Sequence, residues 1–270
     1  MNKKIGFIGT GNMGGAIIGG LVQSKVLAAN HIYAINHHPK RTQELVEKFA
    51  INATSSIEEL TKVSDIVVVA VKPKVVAEVL AEAAPFLKKD AIIISVAAGV
   101  TLASLEKAIG SKQKLVRIMP NLPSLVGEGM SSITANELLT EEDLVLVKEI
   151  FNSFGKAEVV VEDLIHAVVG VSGSSPAYVF MFIEALADAA VQGGMPREQA
   201  YTFAAQSVLG SAKMVLETGI SPGALKDMIC SPGGTTIEAV CELERKGFRS
   251  AVIDGTMAAM AKSAVMSKKD

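Results

Sequence analysis

The first 162 residues alternate short apolar runs with longer stretches in which apolar residues recur at helical spacing. The short runs are almost continuously apolar rather than alternating, which is typical of strands buried on both faces of a parallel sheet. The alternation predicts a doubly wound, Rossmann-like α/β domain over residues 1–162. Its predicted strands cover 5–8, 32–35, 66–71, 92–96, 115–118 and, near the end, 157–161; its helices cover 13–24, 39–49, 74–86, 102–109 and 141–152.

From residue 163 to 270 the strand-like runs stop, and Ala, Met, Leu and Val dominate. An all-α domain this small buries little apolar surface by itself. We therefore expect it to pack against a second copy as a homodimer; the alternative is that its helices only cover the first domain. The predicted helices are 164–171, 176–192, 197–216, 222–228, 235–245 and 248–267.

Composition narrows the class of protein. The 270 residues are 49% hydrophobic and carry a formal net charge of −2, which gives no reason to expect nucleic acid or an anionic membrane surface. No uninterrupted apolar run reaches membrane-spanning length, and the first residues show neither the long apolar core nor the cleavage site expected of a signal peptide. Cys230 and Cys241 suggest no disulfide framework, so a cytoplasmic location is expected. The four histidines show no metal-ligand spacing, and no metal is expected.

A glycine turn, Gly9-Thr10-Gly11-Asn12-Met13-Gly14, follows the first predicted strand and opens a helix. This is the context that a dinucleotide fingerprint requires. The first glycine allows the tight turn, the second lets the backbone approach a pyrophosphate, and the third lets the helix pack closely on the strand. The helix N-terminus supplies N–H donors to the phosphates.

The end of the second predicted strand favours NADPH over NADH. NAD-specific sites usually carry an acid there, which holds the ribose 2′-hydroxyl. This chain has Asn36 instead, followed by His37, His38, Pro39, Lys40 and Arg41. Asn36 can donate to a 2′-phosphate and Arg41 can pair with it. The alternative is that Lys40 and Arg41 only solvate the start of a helix.

Two further strand ends are candidates for cofactor contact, because ligands of such sheets bind beyond the carboxyl ends of the strands. Val71, Lys72 and Pro73 follow one strand, and Ala97 follows the next. Lys72 is placed either beside the cofactor or on the surface, and small residues around Ala97 would admit the nicotinamide ring.

A second glycine turn lies near the far end of the chain, where Ser231-Pro232-Gly233-Gly234-Thr235-Thr236 precedes a helix. Exposed backbone amides and the helix dipole would hold a small anion such as a carboxylate. Thr235 and Glu238 have the spacing of a capping box, so an ordinary helix cap is the alternative. Cys230 beside the turn is interpreted as a small hydrophobic residue rather than a reactive thiol.

Five motifs in order resemble the pyrroline-5-carboxylate reductase family. They begin at Gly9, Val71, Met119, Gly173 and Ser231, and the last one is the most specific. The resemblance implies an NADPH-binding Rossmann domain, a helical dimerisation domain, a homodimer that can assemble further (decamers are frequent), and reduction of 1-pyrroline-5-carboxylate to proline. Leu122 and Ser175 depart from the family pattern, which commonly has Thr and Gly there.

The resemblance also assigns site residues. Thr236 is implied as the catalytic residue near the ring nitrogen, either orienting the N–H of a substrate that binds protonated or relaying a proton from solvent. The substrate carboxylate is assigned to Ser231, Gly233, Gly234 and Thr235. For the cofactor, the resemblance implies Asn36, Lys72 and Pro73. With the glycine turn and the strand ends considered above, the predicted cofactor residues are Gly9, Gly11, Asn12, Met13, Gly14, Asn36, Arg41, Val71, Lys72, Pro73 and Ala97.

Two other functions compete with this interpretation. A β-hydroxyacid dehydrogenase would use a lysine on a central helix as its acid/base group, but residues 177–192 contain no Lys. A non-catalytic NADPH sensor would not need a carboxylate-binding turn.

Overall fold

The computed structural model describes residues 3–110 and 112–267, which form two compact units. Of the described residues, the first unit comprises 3–110, 112–173 and 259–267, and the second comprises 174–258. Compact packing divides the described chain after Gly173, and the domain boundary predicted after residue 162 from the change in sequence pattern remains a prediction. The last helix begins in the second unit and ends in the first.

The first unit is built on an eight-stranded sheet in the order β3-β2-β1-β4-β5-β6-β7-β8. All neighbours are parallel except β6 and β7. The strands are β1 (Ile5–Ile8), β2 (Ile32–Ile35), β3 (Asn52–Ala53), β4 (Ile66–Val69), β5 (Ile92–Ser95), β6 (Lys114–Met119), β7 (Gly129–Ala135) and β8 (Gly155–Val159).

Helices cover both faces of this sheet, so β1, β4 and β5 are buried at every position. One apolar cluster centres on Phe7, Ile17 and Phe151, and the other on Leu60, Leu80 and Leu105. The helices of this unit are α1 (Asn12–Gln23), α2 (Pro39–Phe49), α3 (Ile57–Val63), α4 (Val76–Ala83), α5 (Leu102–Ile109), α6 (Glu141–Asn152) and α7 (Ile165–Val168).

The fold class is confirmed, but several elements differ from the sequence predictions. The strand over 66–71 stops at Val69. The helix over 74–86 is shorter, because a 3₁₀ turn containing Pro73 precedes α4 and another containing Pro85 follows it. A π-helical turn at Val169–Gly173 follows α7 in place of a continuous helix. The sequence analysis missed β3, α3 and the antiparallel β7.

The second unit is helical, with little apolar surface buried. It contains α8 (Ser175–Gln192), α9 (Arg197–Thr218), α10 (Pro222–Ile229), α11 (Thr235–Arg245) and the start of α12 (Phe248–Ser267). Helices α8 and α9 pack through small residues, and the buried apolar residues are Ala187, Ala200, Ala204 and Leu225. Large apolar side chains remain exposed, among them Phe180, Met181, Phe203, Leu216, Met228, Ile229 and Ile253.

Length and composition single out one helical stretch within the described part of the chain. Residues Glu162–Gln192 have a mean hydropathy of 1.3 over their most apolar window, of which 11% is buried. By these criteria alone the stretch qualifies as a candidate membrane span, which the search for uninterrupted apolar runs did not indicate. One such helix is weak support for a membrane protein.

Candidate functional site

Four strand ends lie level with one another at one edge of the sheet. The register pairs Ile8 with both Ile35 and Val69, and Val69 with Ser95. The residues that follow these strands therefore share the carboxyl edge on either side of the switch point between β1 and β4, where α/β sheets bind ligands.

The first glycine turn connects β1 to α1 at this edge. Gly9 has φ +104°, and a Cβ built on it would lie 2.6 Å from the carbonyl oxygen of Ala70 on the neighbouring chain segment. A Cβ on Gly14 would lie 2.2 Å from the carbonyl oxygen of Gly9. A side chain at either position would therefore force the backbone to shift. Gly11 is the N-cap of α1, and no side chain caps this helix. The backbone N–H groups of the first turn of α1 therefore face outward, where they can donate to a ligand.

A cavity of about 400 Å³ begins at this turn and continues between α1 and α2. Thr10, Gly11, Asn12 and Arg41 line one part of it, and Glu44 lines it one helical turn beyond Arg41. Arg41 is exposed, but a Cβ built on Gly11 would lie 4.0 Å from its Nη1, so the guanidinium lies beside the glycine turn. A narrow turn with outward amides and a cation beside it fits the phosphates of a dinucleotide.

Asn36 has a second role that the sequence did not reveal. Its Nδ2 donates to Thr10 Oγ1 at 2.9 Å, and its Oδ1 accepts from the backbone N–H of His38 at 2.9 Å. The amide of Gly9 donates to the carbonyl of Ile35 at 2.9 Å. The end of β2 is thus bonded to the glycine turn at two points, and Asn36 helps to shape that turn. Thr10 was not among the predicted site residues.

The other predicted cofactor residues occupy neighbouring positions at the same edge. Val71 is partly buried after β4, while Lys72 and Pro73 are exposed at the start of a 3₁₀ turn. Ala97 is buried after β5, where its amide donates to Ser95 Oγ at 3.4 Å. Met13 is partly buried in the first turn of α1. The fold of the first unit therefore brings all eleven predicted cofactor residues to one edge or to the α1–α2 cavity.

The second glycine turn lies in the second unit, between α10 and α11. The amide of Gly234 donates to the carbonyl of Ser231 at 3.0 Å, which closes the turn, and Gly233 has φ +66°. Gly234 is the N-cap of α11 and no side chain caps this helix. Thr235 and Glu238, which have the spacing of a capping box, therefore do not form one, and the alternative of an ordinary side-chain cap does not apply to α11.

Without a capping side chain, the amides of Thr235, Thr236 and Ile237 have no acceptor within α11. Ser231, Gly233 and Thr235 are exposed, and Gly234 and Thr236 are partly buried. Donors and hydroxyls at a helix N-terminus form a suitable receptor for one carboxylate.

Cys230 ends α10 immediately before the turn and is partly buried. Four residues earlier, the hydrogen bond with Asp227 raises the pKa of the Lys226 ammonium, which stays charged. Within residues 3–110 and 112–267, no cluster of three His, Cys, Asp or Glu side chains could hold a metal ion.

The sheet, its glycine turn and the cation beside it define a dinucleotide-dependent oxidoreductase. Family models agree with this class: residues 4–99 match one described as NADP oxidoreductase, coenzyme F420-dependent, and residues 162–266 match one described as pyrroline-5-carboxylate reductase dimerisation.

Individual relatives narrow the class to one family. A pyrroline-5-carboxylate reductase of Escherichia coli (strain K12) is 58% identical over 268 residues, 99% of this chain and all of that one. A Coxiella burnetii pyrroline-5-carboxylate reductase structure matches with a TM-score of 0.93 at 35% identity, covering 99% of each chain. The Plasmodium falciparum enzyme, solved with NADP bound, has a TM-score of 0.88 at 35% identity, covering 98% of each. This chain belongs to the pyrroline-5-carboxylate reductase family of NAD(P)H-dependent oxidoreductases.

Proposed function

We propose that this protein reduces 1-pyrroline-5-carboxylate to L-proline with NADPH, the last step of proline biosynthesis, and that it does so in the cytoplasm. The observation that carries this proposal is the second glycine turn, where Gly233 and Gly234 present an uncapped helix N-terminus with a threonine hydroxyl beside it. The family membership of the chain supports the same substrate.

The residues of the second turn hold and orient the substrate. The amides at the start of α11, with Ser231 and Thr235, bind its carboxylate. In this proposal, Thr236 Oγ1 forms a hydrogen bond with the ring nitrogen. A threonine hydroxyl is too weak an acid to charge an imine by itself, so Thr236 either orients a ring N–H that is already protonated or relays a proton from water.

The residues of the first turn bind the cofactor. Backbone amides around Gly11 donate to the pyrophosphate, and Arg41 forms an ion pair with the 2′-phosphate. Asn36 stabilises the turn through its hydrogen bond to Thr10. Bound NADPH supplies a hydride, which adds to the imine carbon while the C=N electron pair moves to the protonated nitrogen. Most of the rate enhancement is expected from holding donor and acceptor carbons at reactive distance.

We also propose that the exposed apolar side chains of the second unit pack against a second copy, and that dimers assemble further, with a decamer as the candidate. Residues 162–266 match a dimerisation family, and they include the apolar stretch Glu162–Gln192. We therefore propose that a second protein chain, rather than a lipid bilayer, covers these side chains.

The test is a steady-state assay that follows NADPH oxidation with pyrroline-5-carboxylate and with its six-membered piperideine homologue, and NADP⁺ reduction with a 3-hydroxyacid. Turnover with the five-membered imine and preference for NADPH over NADH are expected. Binding of NADPH without turnover of either imine would favour a sensor, and turnover of the hydroxyacid would favour a dehydrogenase.

A further inference from the structure

A charged side chain is buried near the carboxyl end of the sheet. Arg117 of β6 is 4% exposed and lies between Ser95 of β5 and Thr134 of β7 in the register. Its Nη1 donates to Glu162 Oε1 at 2.8 Å. Because an unpaired buried guanidinium is strongly unfavourable, this carboxylate is tied to Arg117.

The same carboxylate oxygen holds the start of a helix. Glu162 Oε1 accepts from the backbone N–H of Leu102 at 2.9 Å. Leu102 is the first residue of α5, and Thr101, its N-cap, already bonds the amide of Ser104. Helix α5 has no acidic residue in its own first turn, so Glu162 provides the negative charge at its N-terminus from sixty residues away.

These bonds fix both ends of the loop at residues 96–101. At its start, the amide of Val96 donates to the carbonyl of Val69 at 3.2 Å; at its end, Leu102 is held by Glu162. In between, Gly99 has φ +83° and open space around it. The loop follows β5, on the far side of the switch point from the adenosine half, where the nicotinamide half of a dinucleotide binds.

We propose that Glu162 is a positioning residue for hydride transfer, because it bonds both Arg117 and the first amide of α5 and thereby fixes the loop at residues 96–101 beside the nicotinamide. The proposal rests on the reductase function proposed above. Glu162 touches neither substrate nor cofactor. A shift of about 1 Å in this loop is large enough to change the rate up to about 100-fold without loss of binding.

The sharpest test removes only the bond to α5. Leu102→Pro deletes the donor N–H at the first helical position, where proline is well tolerated, and Thr101 already has the extended ψ of 161° that a following proline requires. Leu102→Ala is the matched control, because it also truncates the side chain but keeps the N–H. The ion pair between Arg117 and Glu162 remains in both variants.

We expect Leu102→Pro to lower kcat about tenfold relative to Leu102→Ala, with the Kd of NADPH and the KM of the imine within about twofold. The rate is expressed per bound NADPH, so that unfolded protein does not contribute. Hydrogen exchange of peptides covering residues 96–101 should increase in Leu102→Pro alone. Equal kcat and equal exchange in the two variants would overturn the proposal.

A second pair of variants covers the case in which Leu102→Pro fails to fold. Glu162→Gln keeps an oxygen acceptor for Leu102, whereas Glu162→Ala removes it, so kcat should fall in the order wild type, Gln, Ala. Glu158 of β8 forms an exposed ion pair with Lys148 of α6. Glu158→Gln is therefore the control, and it should keep the wild-type kcat. A kcat unchanged in Glu162→Ala would overturn the positioning role. Absence of wild-type turnover with the imine would instead refute the proposed function, and exchange at residues 96–101 would still decide whether Glu162 anchors the loop.

Discussion

Both glycine turns present backbone amides at the start of a helix, but the first glycine turn is tightly packed by neighbouring backbone and the second is open around Gly233. In the first, a side chain on Gly9 or Gly14 would collide with backbone oxygens, because strands and helix meet there. In the second, Gly233 needs its positive φ of +66° but has nothing within 4 Å of where a Cβ would be. Both turns precede a helix N-terminus without a side-chain cap.

The difference separates two reasons for glycine. The first turn is determined by the packing of the whole α/β unit, so substitutions there act on folding as well as on binding. The second turn is determined by local backbone geometry and by the space a ligand needs. Substitutions there should change substrate affinity or rate while leaving the fold intact.

Among the variants that test this comparison, Gly14→Ala should have the largest effect. The added methyl would lie 2.2 Å from a backbone oxygen, so we expect a loss of about 3 kcal/mol in the free energy of unfolding, measured in urea, together with weakened NADPH binding. Gly15→Ala is the control: its methyl would lie 3.9 Å from Leu45 Cδ2, and helix propensity should make it neutral or stabilising. Equal stability of the two variants would contradict the packing argument.

Thr236→Val tests the second turn by removing one hydroxyl at constant shape. We expect kcat for the imine to fall by up to about 100-fold, the low end of acid–base contributions, with an unchanged melting temperature. Thr236→Ser should retain most of the rate because it keeps the hydroxyl. Full activity of the valine variant would remove Thr236 from the catalytic role.

Gly234→Val tests the carboxylate receptor. A Cβ there would lie 2.4 Å from Ser231 Oγ and 3.2 Å from the Ser231 carbonyl, so the turn must open. We expect the KM for the imine to rise about tenfold, the value of one charge-assisted hydrogen bond, with the Kd of NADPH nearly unchanged. Gly255→Val, at an open helical position, is the control. An unchanged KM would count against the receptor.

Of these variants, Arg41→Ala should have the smallest effect, but the effect should be specific for one of the two nucleotides. Loss of the guanidinium beside Gly11 should weaken NADPH about tenfold and NADH much less, because only NADPH carries the 2′-phosphate. Fluorescence titration of both nucleotides measures this. Similar losses for the two would assign Arg41 to the pyrophosphate instead.

The elements that the sequence predicted well are those with a strong local signal. Continuous apolar runs identified five strands of the sheet within two residues, and Pro39 marked the start of α2 correctly. β7 was missed because its buried positions are filled by Ser131, Ser132 and Thr134, which give no apolar pattern. α3 is only seven residues long, although Ser56 and Glu59 carried a capping signal that could have revealed it.

The sequence predicted the parts of the candidate site that consist of glycine turns and strand ends. It did not predict the contacts between residues that are distant in sequence. The bonds of Asn36 to Thr10 and of Glu162 to Leu102 span 26 and 60 positions. No periodicity links such pairs, since the sheet register brings them together. The capping-box spacing of Thr235 and Glu238 does not produce a cap, because spacing does not specify which residue takes the N-cap conformation, and Gly234 takes it.

The bond between Asn36 and Thr10 has a consequence for anyone who wishes to redesign nucleotide preference in this scaffold. The usual exchange, Asn36→Asp, would add a carboxylate for the adenosine hydroxyls but would delete the N–H that Thr10 now accepts. Thr10 would have to reverse its hydroxyl and become the donor. A switch toward NADH by a change at position 36 therefore depends on the orientation of the Thr10 hydroxyl, so positions 10 and 36 are best varied together.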